Sequence, residues 1–121
     1  MRVKVWDLPI RARWHRATEL GSLSFGREGL TLLLVEEDSE KRWRLHFPEV
    51  QAFKWITEES ASVILGALPT SGAFYEVVDS AWLPELGQGK LDYMSRVSHY
   101  IICCYDEVLE VGASANVIEP A

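Results

Sequence analysis

The run His-Tyr-Ile-Ile-Cys-Cys-Tyr-Asp-Glu-Val-Leu-Glu-Val at residues 99–111 constrains the fold more than any other stretch of the chain. Successive strand residues point to opposite faces, and this run is apolar on both faces up to Tyr105. A strand with that pattern is covered on both sides. The run breaks at Asp106-Glu107 and resumes as Val108-Leu109-Glu110-Val111. It predicts a central strand, a tight turn at Asp106-Glu107 and a half-buried partner strand.

Most of the remaining chain also has a period of two. Val3 and Val5 alternate with Arg2 and Lys4, which leaves Trp6 on the basic face. Ala12 and Trp14 alternate with Arg11, Arg13 and His15, and Leu23 and Phe25 alternate with serines. Gly26-Arg27-Glu28-Gly29 turns the chain into an apolar strand over residues 30–35, and Asp38-Ser39-Glu40-Lys41 forms the next turn. Trp43, Leu45 and Phe47 then alternate with Arg42, Arg44 and His46. Pro48-Glu49 interrupts before a strand over residues 50–56, so residues 22–56 read as an antiparallel meander. Further strands are expected at residues 74–78 and 116–119.

One segment departs from this period. Thr57 stands before Glu58 and Glu59, acids suited to a helix start, and Ala61, Ile64, Leu65 and Leu68 follow at helical spacing. They predict one short helix near residues 58–68. Pro84, Gly87 and Gly89 mark residues 80–90 as a loop, with a helical turn over residues 80–86. At 121 residues, with no repeat or low-complexity tract, residues 1–121 read as a single domain. The expected fold is mainly β: an antiparallel barrel-like or two-layer β domain with one short helix. The alternative is an α+β sheet with a second helix near residues 80–96.

Charge is spread unevenly along the chain. Residues 1–16 carry +4, residues 17–56 carry −2 and residues 57–121 carry −8, for a net −6. Phosphate contacts dominate nucleic-acid affinity, so this balance disfavours a nucleic-acid partner. The simplest account of the asymmetry is that basic strands pair with acidic ones inside the fold. No apolar stretch reaches the ~20 residues needed to cross a bilayer, and residues 1–7 lack the apolar core of a signal peptide. No membrane association and a cytoplasmic location are expected. Adjacent cysteines offer no disulfide framework, which agrees with that compartment.

The chemistry-bearing residues are sparse. His99 and Cys103 share a strand face but lie four residues apart, about 13 Å, so they form no dyad. Buried cysteine usually packs as a small hydrophobe. His15, His46 and His99 have no ligand spacing between them, and there is no Cys-x-x-Cys, so neither a metal nor a cofactor is expected. His46 falls on a polar strand face and reads as solvated. The acid pairs Glu36-Glu37, Glu58-Glu59 and Asp106-Glu107 read as solvated turn and helix-start charges. No phosphate loop or nucleophile elbow occurs, and no residue is assigned a catalytic role.

Three functions follow as expectations. The first is a small acidic, non-enzymatic interaction module, an immunity-type or adaptor protein that binds a basic protein partner. The Trp-Leu-Pro-Glu-Leu segment either folds onto the core, the favoured reading, or stands exposed as an interface anchor, in which case the module's surface is the Trp82 loop with Glu85. The second is a small-molecule-binding β-barrel, with enzymes within its range, whose interior would carry His99, Tyr105 or Tyr75 among aromatics. The third is a homo-oligomer that covers its own apolar surface.

Overall fold

The computed structural model describes residues Met1–Ala121. The strong alternations form a four-stranded antiparallel sheet. Strands β2 (Thr18–Gly26), β3 (Gly29–Glu36) and β4 (Arg42–Phe47) make a meander, and β9 (Val117–Pro120) adds to the far side of β4. On its inner face Leu30, Leu32, Leu34, Leu45 and Phe47 are fully buried. Removing area of this kind from water stabilises by about 25 cal/mol per Å².

The predicted meander stops at Phe47. Pro48-Glu49 carries the chain across to a second sheet, where β5 (Val50–Thr57) pairs with β8. That sheet has the order β1-β6-β7-β8-β5, all antiparallel, with β1 at Val3–Val5, β6 at Phe74–Val77, β7 at Ser98–Cys103 and β8 at Glu107–Ala113. The two sheets pack as layers and do not close, so the two-layer form holds and the barrel-like form does not. The Tyr100 ring on β7 lies 6.0 Å from Phe47 of the first sheet, which shows that Tyr100 faces the interior. Its neighbours His99 and Ile101 therefore point to the outer face of the second sheet.

Helical segments cover that outer face. A 3₁₀ turn at Glu58–Ser60 leads into α1 (Ser62–Ala67), and Ala61 and Leu68 at its two ends are buried as the spacing predicts. Thr57 precedes the turn in extended conformation, but its side chain makes no capping bond. A second short helix, α2, forms at Trp82–Glu85, inside the segment where a helical turn was expected. Leu83 inserts from α2, with Met94 and Val97 beside it. Gly112 of β8 lies directly under this layer: a Cβ there would be in ordinary contact with Leu83 Cδ2 at 3.5 Å and Leu86 Cδ1 at 3.7 Å.

Several local expectations are corrected. Residues 11–15 form bends and turns, not a strand. Trp6 does share the side of Lys4, but that side meets the core: its ring lies 4.3 Å from Tyr100 and 6.1 Å from Phe47, while Val5 is 69% exposed. An indole buries far more area than a valine, so the larger ring takes the inner side. The central hairpin turns at Tyr105-Asp106, one residue earlier than the pattern suggested. The Cys104 N–H donates to the Glu107 carbonyl at 2.9 Å, and the Tyr105 N–H donates to the Thr18 carbonyl at 2.8 Å, which ties the tip to β2. Strand β8 is buried nearly throughout, Glu110 included, because α2 covers its outer face.

The turn between β2 and β3 depends on glycine. Gly29 has φ +104°, and a Cβ there would stand 2.1 Å from the Phe47 carbonyl oxygen. A Gly29→Ala substitution is expected to cost about 2 kcal/mol or more, from positive-φ strain together with the clash. A lowered midpoint in urea unfolding checks this, and a midpoint equal to the parent's would refute it.

Candidate functional site

The sheet register builds the most concentrated polar cluster in the protein. His99 pairs with Gly112, and Glu110, two residues before Gly112 on the same face, pairs with Ile101 on one side and Lys54 on the other. His99 and Glu110 are thus diagonal neighbours. His99 Nε2 lies 2.7 Å from Glu110 Oε1, and both side chains are buried. The hydrogen bond with His99, assisted by the Lys54 charge, holds the Glu110 carboxyl below its ordinary value of 4.5 against the opposing effect of burial. Lys54 Nζ stands 3.9 Å from Glu110 Oε2.

An ionised carboxylate can only accept hydrogen bonds, so His99 donates from Nε2. In neutral imidazole that leaves Nδ1 as an acceptor. The Ser80 hydroxyl meets it at 2.7 Å. Ser80 Oγ also accepts the Leu83 N–H at 3.1 Å, which fixes the start of α2. A relay Ser80–His99–Glu110–Lys54 results. Trp82 closes it from outside, its ring edge-on to His99 at 5.0 Å and under Lys54 Nζ at 4.4 Å. Two cavities adjoin the relay. One, of about 300 Å³, is lined by Ser80 and His99 with Val77, Val78, Leu83 and Val97 among others. The other, of about 370 Å³, lies between His99, Trp82, Ala81 and Val77.

Comparison of the chain with protein-family models, with curated proteins and with solved structures returns no match. The site is therefore interpreted from its own geometry.

Of the residues singled out from the sequence, Trp82 and His99 come together. Trp82 is half-buried against His99 and Lys54, the outcome favoured for its loop over an exposed anchor. Glu85 is exposed at the end of α2 and makes no ion pair. Tyr105 lies six residues from His99 along β7 and its turn, roughly 20 Å away, and is 38% exposed. The barrel interior imagined for the second function does not exist. Tyr75, proposed for its lining, is fully buried with its hydroxyl donating to the Ser71 carbonyl at 2.6 Å. No helix is long and apolar enough to cross a membrane.

The turn position explains why Glu110 was missed. A tip at Asp106-Glu107 would pair Tyr105 with Val108 and set Glu110 opposite Cys103, about 13 Å from His99. The actual tip slides Glu110 opposite Ile101 and within reach of the ring. Other expectations about polar groups are also corrected. Glu36, read as solvated, is buried at the end of β3, where it accepts bonds from Trp43 Nε1 at 2.8 Å, Ser39 Oγ at 2.9 Å and the Arg11 N–H at 3.2 Å. Burial acts to raise its pKa, but these bonds and the Lys41 charge outweigh it and keep the group ionised. His46 is only half-buried, and its Nδ1 meets Thr31 Oγ1 at 2.8 Å.

Both thiols are buried, and burial pushes the Cys103 thiol up to about 12 and the Cys104 thiol well above its ordinary value. A thiolate is the reactive form. Native protein is expected to show no reaction with a disulfide exchange reagent at neutral pH, and two reactive thiols once unfolded. Rapid labelling of the native state would refute this assignment.

Glu110 also gives a pH prediction. Its folded pKa lies below the unfolded value, so its stabilising effect is present above about 4.5 and is lost as pH falls through the folded value. A Glu110→Gln variant is expected to lose about 1–3 kcal/mol at neutral pH. Between neutral pH and pH 3 its melting temperature should fall less than the parent's. Parallel melting curves across that range would contradict the assignment.

Proposed function

We propose that the protein is an interaction module, of immunity or adaptor type, that receives a basic protein partner on the end of the sandwich formed by the Tyr105 turn. One observation carries this reading: an exposed aromatic side chain stands among carboxylates brought together from three separate segments. The Glu58 N–H donates to the Asp106 carbonyl at 2.8 Å, which joins the Glu58–Ser60 turn to the hairpin tip. The Thr18 carbonyl holds Tyr105 and brings Glu19 alongside. Burial above all, with the charges of Asp106 and Glu19 added, raises the Glu107 carboxyl above its ordinary value. Arg16 is the basic partner here, 3.4 Å from Glu58 and 4.0 Å over the Tyr105 ring.

Such an end suits a basic partner on two counts. Clustered like charge steers an oppositely charged protein and raises its association rate. Tyrosine at the centre of a polar rim is a frequent binding hot spot. Trp82 is half-buried against His99 and Lys54, whereas Tyr105 stays exposed even with Arg16 over its ring, which is why the reading moves to Tyr105.

The test is capture from native lysate at low salt, followed by calorimetry with the purified partner. A basic protein is expected, and the Tyr105→Ala and Glu59→Lys/Asp106→Lys variants should each weaken it by about 2 kcal/mol or more. The Glu85→Lys variant should bind as the parent does. A partner that binds all of these variants equally would sink the proposal.

A further inference from the structure

We infer that Ser80, His99 and Glu110 form an acyl-transfer site, with Ser80 as nucleophile toward short-chain carboxylic esters. This goes beyond the docking surface proposed above and lies at the opposite end of β7, so either can fail without the other. The inference begins with the hydroxyl of Ser80. A serine hydroxyl has one proton and two lone pairs. The hydroxyl donates that proton to His99 Nδ1, 2.7 Å from Oγ, and one lone pair accepts the Leu83 N–H at 3.1 Å. The second lone pair is free, and Ser80 lines the cavity of about 300 Å³.

The base is equally well defined. Glu110 accepts from His99 Nε2 at 2.7 Å, which sets the tautomer that leaves Nδ1 able to take a proton. The same carboxylate stabilises the imidazolium formed when it does. Lys54 keeps Glu110 ionised from the other side. A nucleophile bonded to a base, with the base oriented by a third group, is the arrangement that activates serine. Here the two ring nitrogens exchange their usual duties, since Nδ1 faces the serine. The helical start at α2 holds Ser80 still, and the sheet holds the other two.

The step balances without a further reagent. Ser80 Oγ attacks the ester carbonyl carbon as His99 Nδ1 takes the hydroxyl proton. The carbonyl pair moves to oxygen and returns to expel the alcohol, which takes the proton back from His99. Water then attacks the acyl-serine with His99 again accepting a proton. The carboxylic acid leaves and the Ser80 hydroxyl is restored. The cavity selects the substrate class. Its volume is at the small end for ligand sites, four of its nine lining residues are apolar, and Glu76, Gln88 and Ser98 stand beside Ser80 and His99. A short acyl group is the size that such a cavity admits.

The probes are p-nitrophenyl acetate, p-nitrophenyl butyrate and an alkyl fluorophosphonate. The parent is expected to hydrolyse both esters and to take up one phosphonyl group, found on the Ser80 peptide by mass spectrometry. Ser80→Ala removes the α2 anchor as well as the nucleophile, so Ser80→Asn is the decisive variant: its amide oxygen can accept the Leu83 N–H and its amide NH₂ can donate to His99 Nδ1, but it has no hydroxyl. Its rate should fall about 10²-fold or more, with labelling lost and the circular dichroism spectrum retained. Glu110 acts as a positioning residue, so Glu110→Gln should move the pH profile of the rate as well as lower it. Absence of hydrolysis and labelling in the parent, labelling at another residue, or an undiminished rate in Ser80→Asn would each overturn the assignment.

Discussion

A carboxylate buried in the middle of a sheet has to be paired, and the pairing of Glu110 organises one whole face of this protein. An isolated buried charge costs several kcal/mol, and breaking an existing pair costs about 3–5 kcal/mol. Glu110 avoids that cost through His99, set diagonally across the β7–β8 register, and Lys54, set directly across the β5–β8 register. Both partners come from strands that must lie in fixed register with β8. His99 in turn uses its other nitrogen on Ser80, and Ser80 fixes the start of α2. One buried charge thus links three strands to the helical layer that covers them. The Cys103 and Cys104 thiols, buried further along the same hairpin, belong to the packed interior.

Electrostatics also joins the two halves of the chain. Each Lys/Arg–Glu ion pair in the structure joins a base from the first 54 residues to an acid beyond residue 57: Lys4–Glu76, Arg16–Glu58, Arg44–Glu119 and Lys54–Glu110. The simplest account of the lopsided charge is therefore correct for much of it. Exposed pairs of this kind contribute little individually, so their effect is on pairing specificity more than on stability. What they leave uncompensated is local. Glu19, Asp106 and Glu107 remain around the Tyr105 turn, with Glu107 raised by burial and by its acidic neighbours. That residue of charge, rather than the net −6 of the chain, is what a partner would meet.

The legible parts were those with unbroken periodicity. Arg42–Phe47 and residues 30–35 alternate cleanly, and they form adjacent strands of one sheet. The apolar run after His99 is the middle strand of the other sheet. Ala61 and Leu68 predicted the buried side of a helical segment. The errors fall where one residue changes the outcome. A turn placed one position late moved Glu110 about two residues along β7 and hid its pairing with His99. Pro48-Glu49 read as a hairpin interruption, although it carries the chain from one sheet to the other. Trp6 and Val5 exchanged expected roles because a three-residue edge strand is too short for its alternation to show which side meets the core.

The sequence by itself determined that this chain makes antiparallel sheets, that residues 99–111 fold back as a buried hairpin, and that acid accumulates toward the C-terminal half. Those properties depend on local alternation and on counts, which need no knowledge of distant neighbours. Tertiary structure alone decided which strand joins which sheet. It also decided that Ser80, His99, Glu110, Lys54 and Trp82 share one site and that Tyr105 stands among carboxylates at the other end. Hydrogen-bond reach is about 3 Å, while a shift of one turn residue moves a paired side chain by about 7 Å along the facing strand. Chemistry at that scale follows from register, and register was settled by contacts such as that of Tyr105 with Thr18, 87 positions away in the chain.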